Sequence, residues 1–459
     1  MRRLKFPRAG WAASFVVVSA ALLTGCAVYQ AKPLDEGAVA GALRAPSWAA
    51  VKLAATQIDH PLLPAQVIDG EGGFTPEEIG LIALIASPQL RAIRDQRGLA
   101  QAQVIAAGIL PNPQFGFSAD VPHGNVDPSL VAARSLGLSW DLTALLSLHQ
   151  KKIAAQKSSE GIDLEIAWQE GQVARTAELR AGRVLSLEES LPLAQEIEAG
   201  SGENLALLKK AFALGQQTRS DLTLATAAWR SARDQRFTMA QDLTRERIAL
   251  NLMLGQPAEV PVPLKASPIE ARPTVATLGE LLAGLETHRL DLVALKLGYE
   301  SQEASLRAAI RSQFPKINLS LTQARDTGLV KTRGHGVAID VPLFDRNQAT
   351  IAHERATRQQ LFDDYVARVA EARSEVVQLQ AALSGTRGQL SAIDTELISL
   401  RELVEASDRE YQAEGIDVLT WREARHAWLG LRLGRERVRQ NYQELQLALG
   451  IASGRPTSN

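Results

Sequence analysis

The feature that most restricts how this 459-residue chain can fold is that it is written twice. The stretch "AQAQVIAAGILPNPQFGFS" from Ala100 matches "SQEASLRAAIRSQFPKINLS" from Ser301 at an offset of 202. Ala102, Ala106, Ala107, Pro113, Phe115, Phe117 and Ser118 fall on Ala304, Ala308, Ala309, Pro315, Ile317, Leu319 and Ser320. "LGLSWDL" (Leu136 to Leu142) then matches "VAIDVPL" (Val337 to Leu343). At an offset of 199, Phe212, Ala225 and Trp229 fall on Tyr411, Ala424 and Trp428. "LNLMLG", ending at Gly255, is read as the partner of "LQLALG", ending at Gly450. The shared order implies a tandem duplication. Its repeats are 76–255 and 275–450, joined by a Pro- and Val-rich connector, 256–274, and followed by a tail, 451–459.

Each repeat reads helix, strand, strand, long helix, helix. Four segments alternate with period two, at about 113–122, 134–143, 315–325 and 335–344. Phe115, Phe117, Ala119, Val121, Leu136, Leu138, Trp140, Leu142, Ile317, Leu319, Leu321, Val337, Ile339, Val341 and Leu343 lie on the apolar sides; serine, glycine, asparagine and threonine, with Gln114, Asp120, Asp141, Ala338, Asp340 and Pro342, occupy the other. Four strands cannot close a sheet, and an open one would expose two edges and an apolar face. Apolar outside and polar inside fits a transmembrane barrel built from several chains. An ordinary antiparallel sheet with a helix on one face is the soluble alternative.

After Pro342 the chain has no proline until Pro456. Asn347 to Gln412 reads as one helix, roughly 100 Å long at 1.5 Å per residue. Leu361, Phe362, Tyr365, Val366 and Val369 recur at coiled-coil spacing. In the first repeat, Pro192 is expected to kink or break the matching helix (about Leu145 to Gln216), and Gly200 and Gly202 to weaken it. Pro342, Phe344, Asp345 and Asn347 mark the strand-to-helix junction. Pro342 would end the ladder and Asp345 or Asn347 would cap the helix.

The N-terminus, 1–25, has a basic start, an apolar middle and a small-residue end, as an export signal does. Its removal takes the formal net charge from −1 to −5, because four cations and no acid leave. Cys26 is the single cysteine, so no internal disulfide can form. "LTGC" before and at Cys26 resembles the bacterial lipobox, which implies a covalent lipid on Cys26 and, with Ala27 next, sorting to the outer membrane. Residues 26–75 form an extension after that anchor. No basic patch points to nucleic acid. No phosphate-cradling loop, nucleophile elbow or zinc-spaced Cys/His set is present, so neither an enzyme nor a metal or cofactor site is expected.

From Pro76 to Gly450 this layout resembles the TolC-like outer membrane factors, the outer membrane efflux proteins. The duplicated Ala-Ala…Pro transitions and "VPLFDRNQ" carry the likeness, and the latter looks most like the branch serving resistance-nodulation-division pumps, especially for divalent cations. The resemblance implies a mostly α fold with a small β part. Long coiled-coil hairpins would form a trimeric α-barrel, and each protomer would give four strands to a shared 12-stranded transmembrane β-barrel. It implies a homotrimer working with a periplasmic adaptor and an inner-membrane pump. "GQQTRSDLTLA" (Gly215 to Ala225) fits the family's hairpin-tip pattern; "EGIDVLTWREA" (Glu414 to Ala424) is its second copy. Asp221 and Tyr411 fall on gate positions, with Ile416 where an arginine would stand, and Thr420 and Glu423 fall on the narrowest ring. The function implied is a passive exit duct for small molecules or metal cations. A type I protein secretion duct and a lipid-anchored periplasmic coiled-coil scaffold are the alternatives.

Overall fold

The computed structural model describes residues 27–125, 127–267 and 277–455. Cys26 and the signal segment lie outside them. The chain divides into two units, Met1–Ala45 and Pro46–Asn459. In the first, α1 (Glu36–Ala42) starts at Asp35, whose carboxylate accepts from Ala38 N at 2.7 Å.

The second unit begins with α2 (Trp48–Ala55), α3 (Pro76–Ala86) and α4 (Pro88–Gly108). Strands β1 (Gln114–Asp120) and β2 (Ala133–Asp141) follow, then α5 (Ala144–Ala213) and α6 (Arg219–Met253). The second repeat has the same order: α7 (Leu278–Ala283), α8 (Leu285–His288), α9 (Leu290–Arg311), β3 (Lys316–Arg325), β4 (Lys331–Asp340), α10 (Gln348–Gln412) and α11 (Val418–Ser453).

The duplication extends to the cores. Val173, Ala177 and Leu250 are buried in the first; Ala372, Val376 and Leu449, at an offset of 199, are buried in the second. The helix ends correct one pairing. The partner of Gly255 is Gly454, not Gly450, which lies inside α11. Both glycines are left-handed, with φ of 62° and 67°; Gly255 follows the cap of α6 and packs against Ala86 and Pro88, and Gly454 caps α11 against His288 and Arg289. A Cβ on Gly255 would stand 3.2 Å from Ala86 O, and one on Gly454 2.6 Å from His288 O.

The N-terminal extension does not stop short of the first repeat. Val51, Ala55, Leu63, Ile68 and Phe74 are buried in its core. Phe74 bridges to Leu264 of the connector, with Phe74 N donating to Pro263 O and Lys265 N to Phe74 O, both at 2.9 Å. The boundary near residue 75 therefore follows sequence similarity, while packing begins about 25 residues earlier.

Helix α5 runs unbroken through Pro192, Gly200 and Gly202 for 70 residues, roughly 105 Å. Proline removes one backbone hydrogen bond, but ion pairs to both neighbouring helices hold the flanking turns. Glu188 and Glu198 meet Arg247 and Arg236 of α6, and Glu189 and Glu196 meet Arg439 and Arg425 of α11. The α10 helix matches its expected span, with 65 residues.

Candidate functional site

The sheet has the order β1-β2-β3-β4, all antiparallel. Directly paired residues share a face, so the registers sort the side chains. Starting next to the helices, one face reads Ile317·Ile339, then Trp140·Leu319·Val337, then Phe115·Leu138·Leu321·His335, then Phe117·Leu136·Gln323·Arg333. The other reads Asn318·Ala338, Gln114·Ser139·Ser320·Gly336, Gly116·Gly137·Thr322·Gly334 and Ser118·Ser135·Ala324·Thr332. Among the described residues no helix covers the apolar side: Phe115, Phe117, Val337 and Ile339 are 72%, 63%, 62% and 55% exposed. This disfavours the soluble alternative, because an apolar sheet face of that size in water is costly. Among the described residues the outer edges of β1 and β4 carry no strand partner.

Three strands differ from expectation by one or two residues; β4 differs more. It spans Lys331–Asp340 rather than 335–344, since its apolar-face positions Lys331, Arg333 and His335 are polar and hide the alternation. The ladder therefore ends at Asp340, before Pro342.

At the junction Asn347 occupies the N-cap position of α10 in a left-handed conformation, φ 60°, but makes no side-chain cap bond. Instead its Nδ2 donates to Ala309 O at 2.8 Å, tying α10 to α9, while Asp345 Oδ1 accepts from Asn347 N at 2.9 Å. Gln348 closes the turn, accepting from Arg346 N at 2.7 Å and donating to Phe344 O at 3.1 Å. Phe344 is 91% exposed. In the first repeat Thr143 has the joining role: its hydroxyl accepts from Ile317 N of β3 at 2.8 Å.

The two hairpin tips are built alike. Helices α5 and α10 both end in a Schellman turn. Gln216 N donates to Ala211 O at 2.9 Å and Gly415 N to Glu410 O at 2.7 Å. Gly215 takes φ 74° in one; Glu414 takes φ 57° in the other, where only the residue type differs. The caps that follow are reciprocal. Thr218 caps α6 with Asp221 at its third position; Asp417 caps α11 with Thr420 at its third position. Asp221 Oδ2 accepts from Thr218 N at 3.0 Å and Thr218 Oγ1 at 2.6 Å, and these bonds hold its carboxyl below the usual aspartate range. Thr420 Oγ1 donates to Asp417 Oδ2 at 2.8 Å.

Within one chain Asp221 and Tyr411 are thus engaged separately. Tyr411 stacks on Trp421, with centroids 4.8 Å apart and planes 11° from parallel. Trp421 Nε1 donates to Asp408. Glu423 is exposed, and among the described residues no hydrogen bond or ion pair involves it. The sequence reading missed the acid–arginine ladder between α5 and α11, including the bidentate pair of Arg183 with Glu444 at 2.7 and 2.9 Å. The glutamates of α5 that meet α11, Glu189 and Glu196, and the arginine-rich run from Arg422 to Arg439 were the available signal. No helix among the described residues is long and apolar enough to cross a membrane.

Residues 281–455 match the family described as "Outer membrane efflux protein". The chain is 23% identical over 335 residues to the toluene efflux pump outer membrane protein TtgF of Pseudomonas putida, covering 68% of each chain. Its fold is shared with the outer-membrane channel OprN (TM-score 0.68, 16% identity, 94% of this chain and 100% of that one). It is also shared with the open state of the MtrE channel of Neisseria gonorrhoeae (TM-score 0.66, 19% identity, 88% and 98%). With one repeat matching the family directly, the other folding in the same way, and a curated efflux protein aligned over 68% of the chain, the protein resembles the TolC-like outer membrane factors.

Proposed function

We propose that this protein is the outer-membrane exit duct of a tripartite efflux system. It conducts passively, and an inner-membrane pump of the resistance-nodulation-division type supplies the energy through a periplasmic adaptor. The observation that carries the reading is the sheet, which among the described residues is apolar and uncovered on one face, mostly small and polar on the other, and unpaired at both edges. Three copies would satisfy those edges in a 12-stranded barrel, the backbone solution a membrane demands. The helical hairpins would continue the lumen into the periplasm, with a lipid on Cys26 as a second anchor. Small molecules are the favoured cargo class, in keeping with the toluene pump named for a relative; metal cations are the other class. Asp221, Tyr411, Thr420 and Glu423 would form the gate where the tips of three protomers converge.

The test is single-channel conductance in a planar bilayer, wild type beside Asp221→Ala. Small or silent wild-type openings with larger ones in the variant are expected. Equal conductance would keep the duct and remove Asp221 from the gate. A monomer that never conducts would overturn the duct in favour of a scaffold.

A further inference from the structure

The apolar face does not end evenly. Beside the helices it stops at Ile317 and Ile339; at the far end its last rows are Phe117·Leu136·Gln323·Arg333 and Ala119·Arg134·Arg325·Lys331. Four cations therefore share the face of Phe115 and Leu321, all at the end away from the helices. The opposite face carries none of them there: its last rows are Ser118·Ser135·Ala324·Thr332 and Asp120·Ala133.

We propose that this rim binds the phosphates of glycolipid headgroups in the outer leaflet. The proposal rests on the membrane-barrel reading above and adds a ligand to it. From the Ile317 row to the Arg325 row is about 27 Å along the strand at ~3.3 Å per residue. With strands tilted by roughly 40°, that projects to about 20 Å along the membrane normal, which brings the Arg325 row close to the edge of the ~25 Å outer-membrane apolar band. The basic rows thus fall where hydrocarbon gives way to headgroups, and the long side chains can lay their stems on apolar surface while their heads reach polar ground.

Among the described residues no ion pair involves Arg134, Arg325, Lys331 or Arg333. The loop carboxylates are engaged elsewhere: Asp127 accepts from Ser129 N at 2.8 Å, and Asp326 from Gly328 N and Val330 N at 2.9 Å each. Arg325 Nη2 donates to Ala132 O at 3.3 Å, but its Nε is shielded from water and meets no acceptor. Neighbouring paired strands hold Cα atoms about 5 Å apart, so the row of three cations is spaced for one phosphate group to meet two of them. Arginine's fork suits a phosphate's oxygens. Single-sided charge of this kind, next to a lipid-facing surface, fits an anionic headgroup better than a soluble protein.

The purified protein in zwitterionic detergent would be titrated with diphosphoryl lipid A, with the same lipid stripped of phosphate, and with inorganic phosphate. The melting temperature is the readout. Arg333→Gln/Lys331→Gln, both exposed on the edge strand, would be compared with wild type, and Arg134→Gln/Arg325→Gln serves as a second variant. A rise with the phosphorylated lipid alone, with apparent affinity at least ten-fold weaker in either variant, is expected. Equal rises with the stripped lipid, or an unchanged affinity in both variants, would overturn the proposal in favour of apolar contact. A full response to inorganic phosphate would reassign the rim to a free-anion site. Conductance in a phosphatidylcholine bilayer, measured on the same samples, separates the two readings. A conducting protein with no phosphate preference loses this site and keeps the duct; one that never conducts, even with Asp221→Ala added, loses both.

Discussion

Removing the charge of Asp291 should uncouple the second repeat from its own ends. Arg289 is 1% exposed and Asp291 6%. The guanidinium pairs with the carboxylate through both oxygens, at 3.0 and 2.7 Å. It also donates to Glu375 of α10 at 3.0 Å and weakly to Ala452 O of α11 at 3.4 Å, and it lies 5.0 Å from the Trp168 ring centroid on α5. One buried cation thus fastens four helices. In Asp291→Asn that cation keeps Glu375 but loses its buried counterion. Breaking a buried pair from one side costs about 3–5 kcal/mol; the lower figure applies here, since Asn can still accept one hydrogen bond. About 3 kcal/mol is roughly a 150-fold change in the folding constant. The assay is guanidinium denaturation of the detergent-solubilised protein, followed by helical circular dichroism. Two controls sharpen it. Arg368→Gln removes a partner that is 39% exposed and should cost about 1 kcal/mol or less. Arg289→Met/Asp291→Leu removes both charges and should recover most of the loss. An Asp291→Asn cost below about 1 kcal/mol, or a double variant as weak as the single, would refute the reasoning.

The same pair sets an acid limit. Burial pushes the Asp291 carboxyl up, but the hydrogen bonds and charges of Arg289 and Arg368 pull it further down, so its folded value lies below the ordinary 3.8. A depressed carboxyl contributes fully above its unfolded value and loses that contribution as pH falls through the folded one. Stability measured from pH 6 down to pH 2 should therefore fall below about pH 4, and less steeply in Asp291→Asn. Gly454→Ala should destabilise by about 2 kcal/mol or more, and more than Gly255→Ala, because its Cβ would press on the His288 backbone at 2.6 Å rather than Ala86 O at 3.2 Å; thermal melts of the two variants give the order. Thr218→Val removes the hydroxyl that holds Asp221, so trypsin should cut faster at Arg219, and a rate equal to wild type would contradict the cap's role.

What the chain states locally is legible in one dimension. The order of elements, the 65-residue α10 and the two faces of each strand follow from proline spacing and from periods of two and of three to four, which neighbours in sequence enforce. Local pattern fails where polar residues do the work. Lys331 and Arg333 break the apolar alternation, so the first turn of β4 reads as loop until pairing with Arg325 and Gln323 places it in the sheet. Asn347 looks like a cap, yet its side chain is drawn to Ala309 on another helix. Pro192 looks like a break, yet pairs such as Glu189 with Arg439, far apart in sequence, hold α5 continuous. The sequence alone determined the duplication, the strand faces and the length of α10, because each is a local repeat of side-chain size and polarity. Tertiary structure decided which charges meet, where the strands begin and that residues from Val51 onward belong to the first core, because those depend on groups brought together from distant parts of the chain.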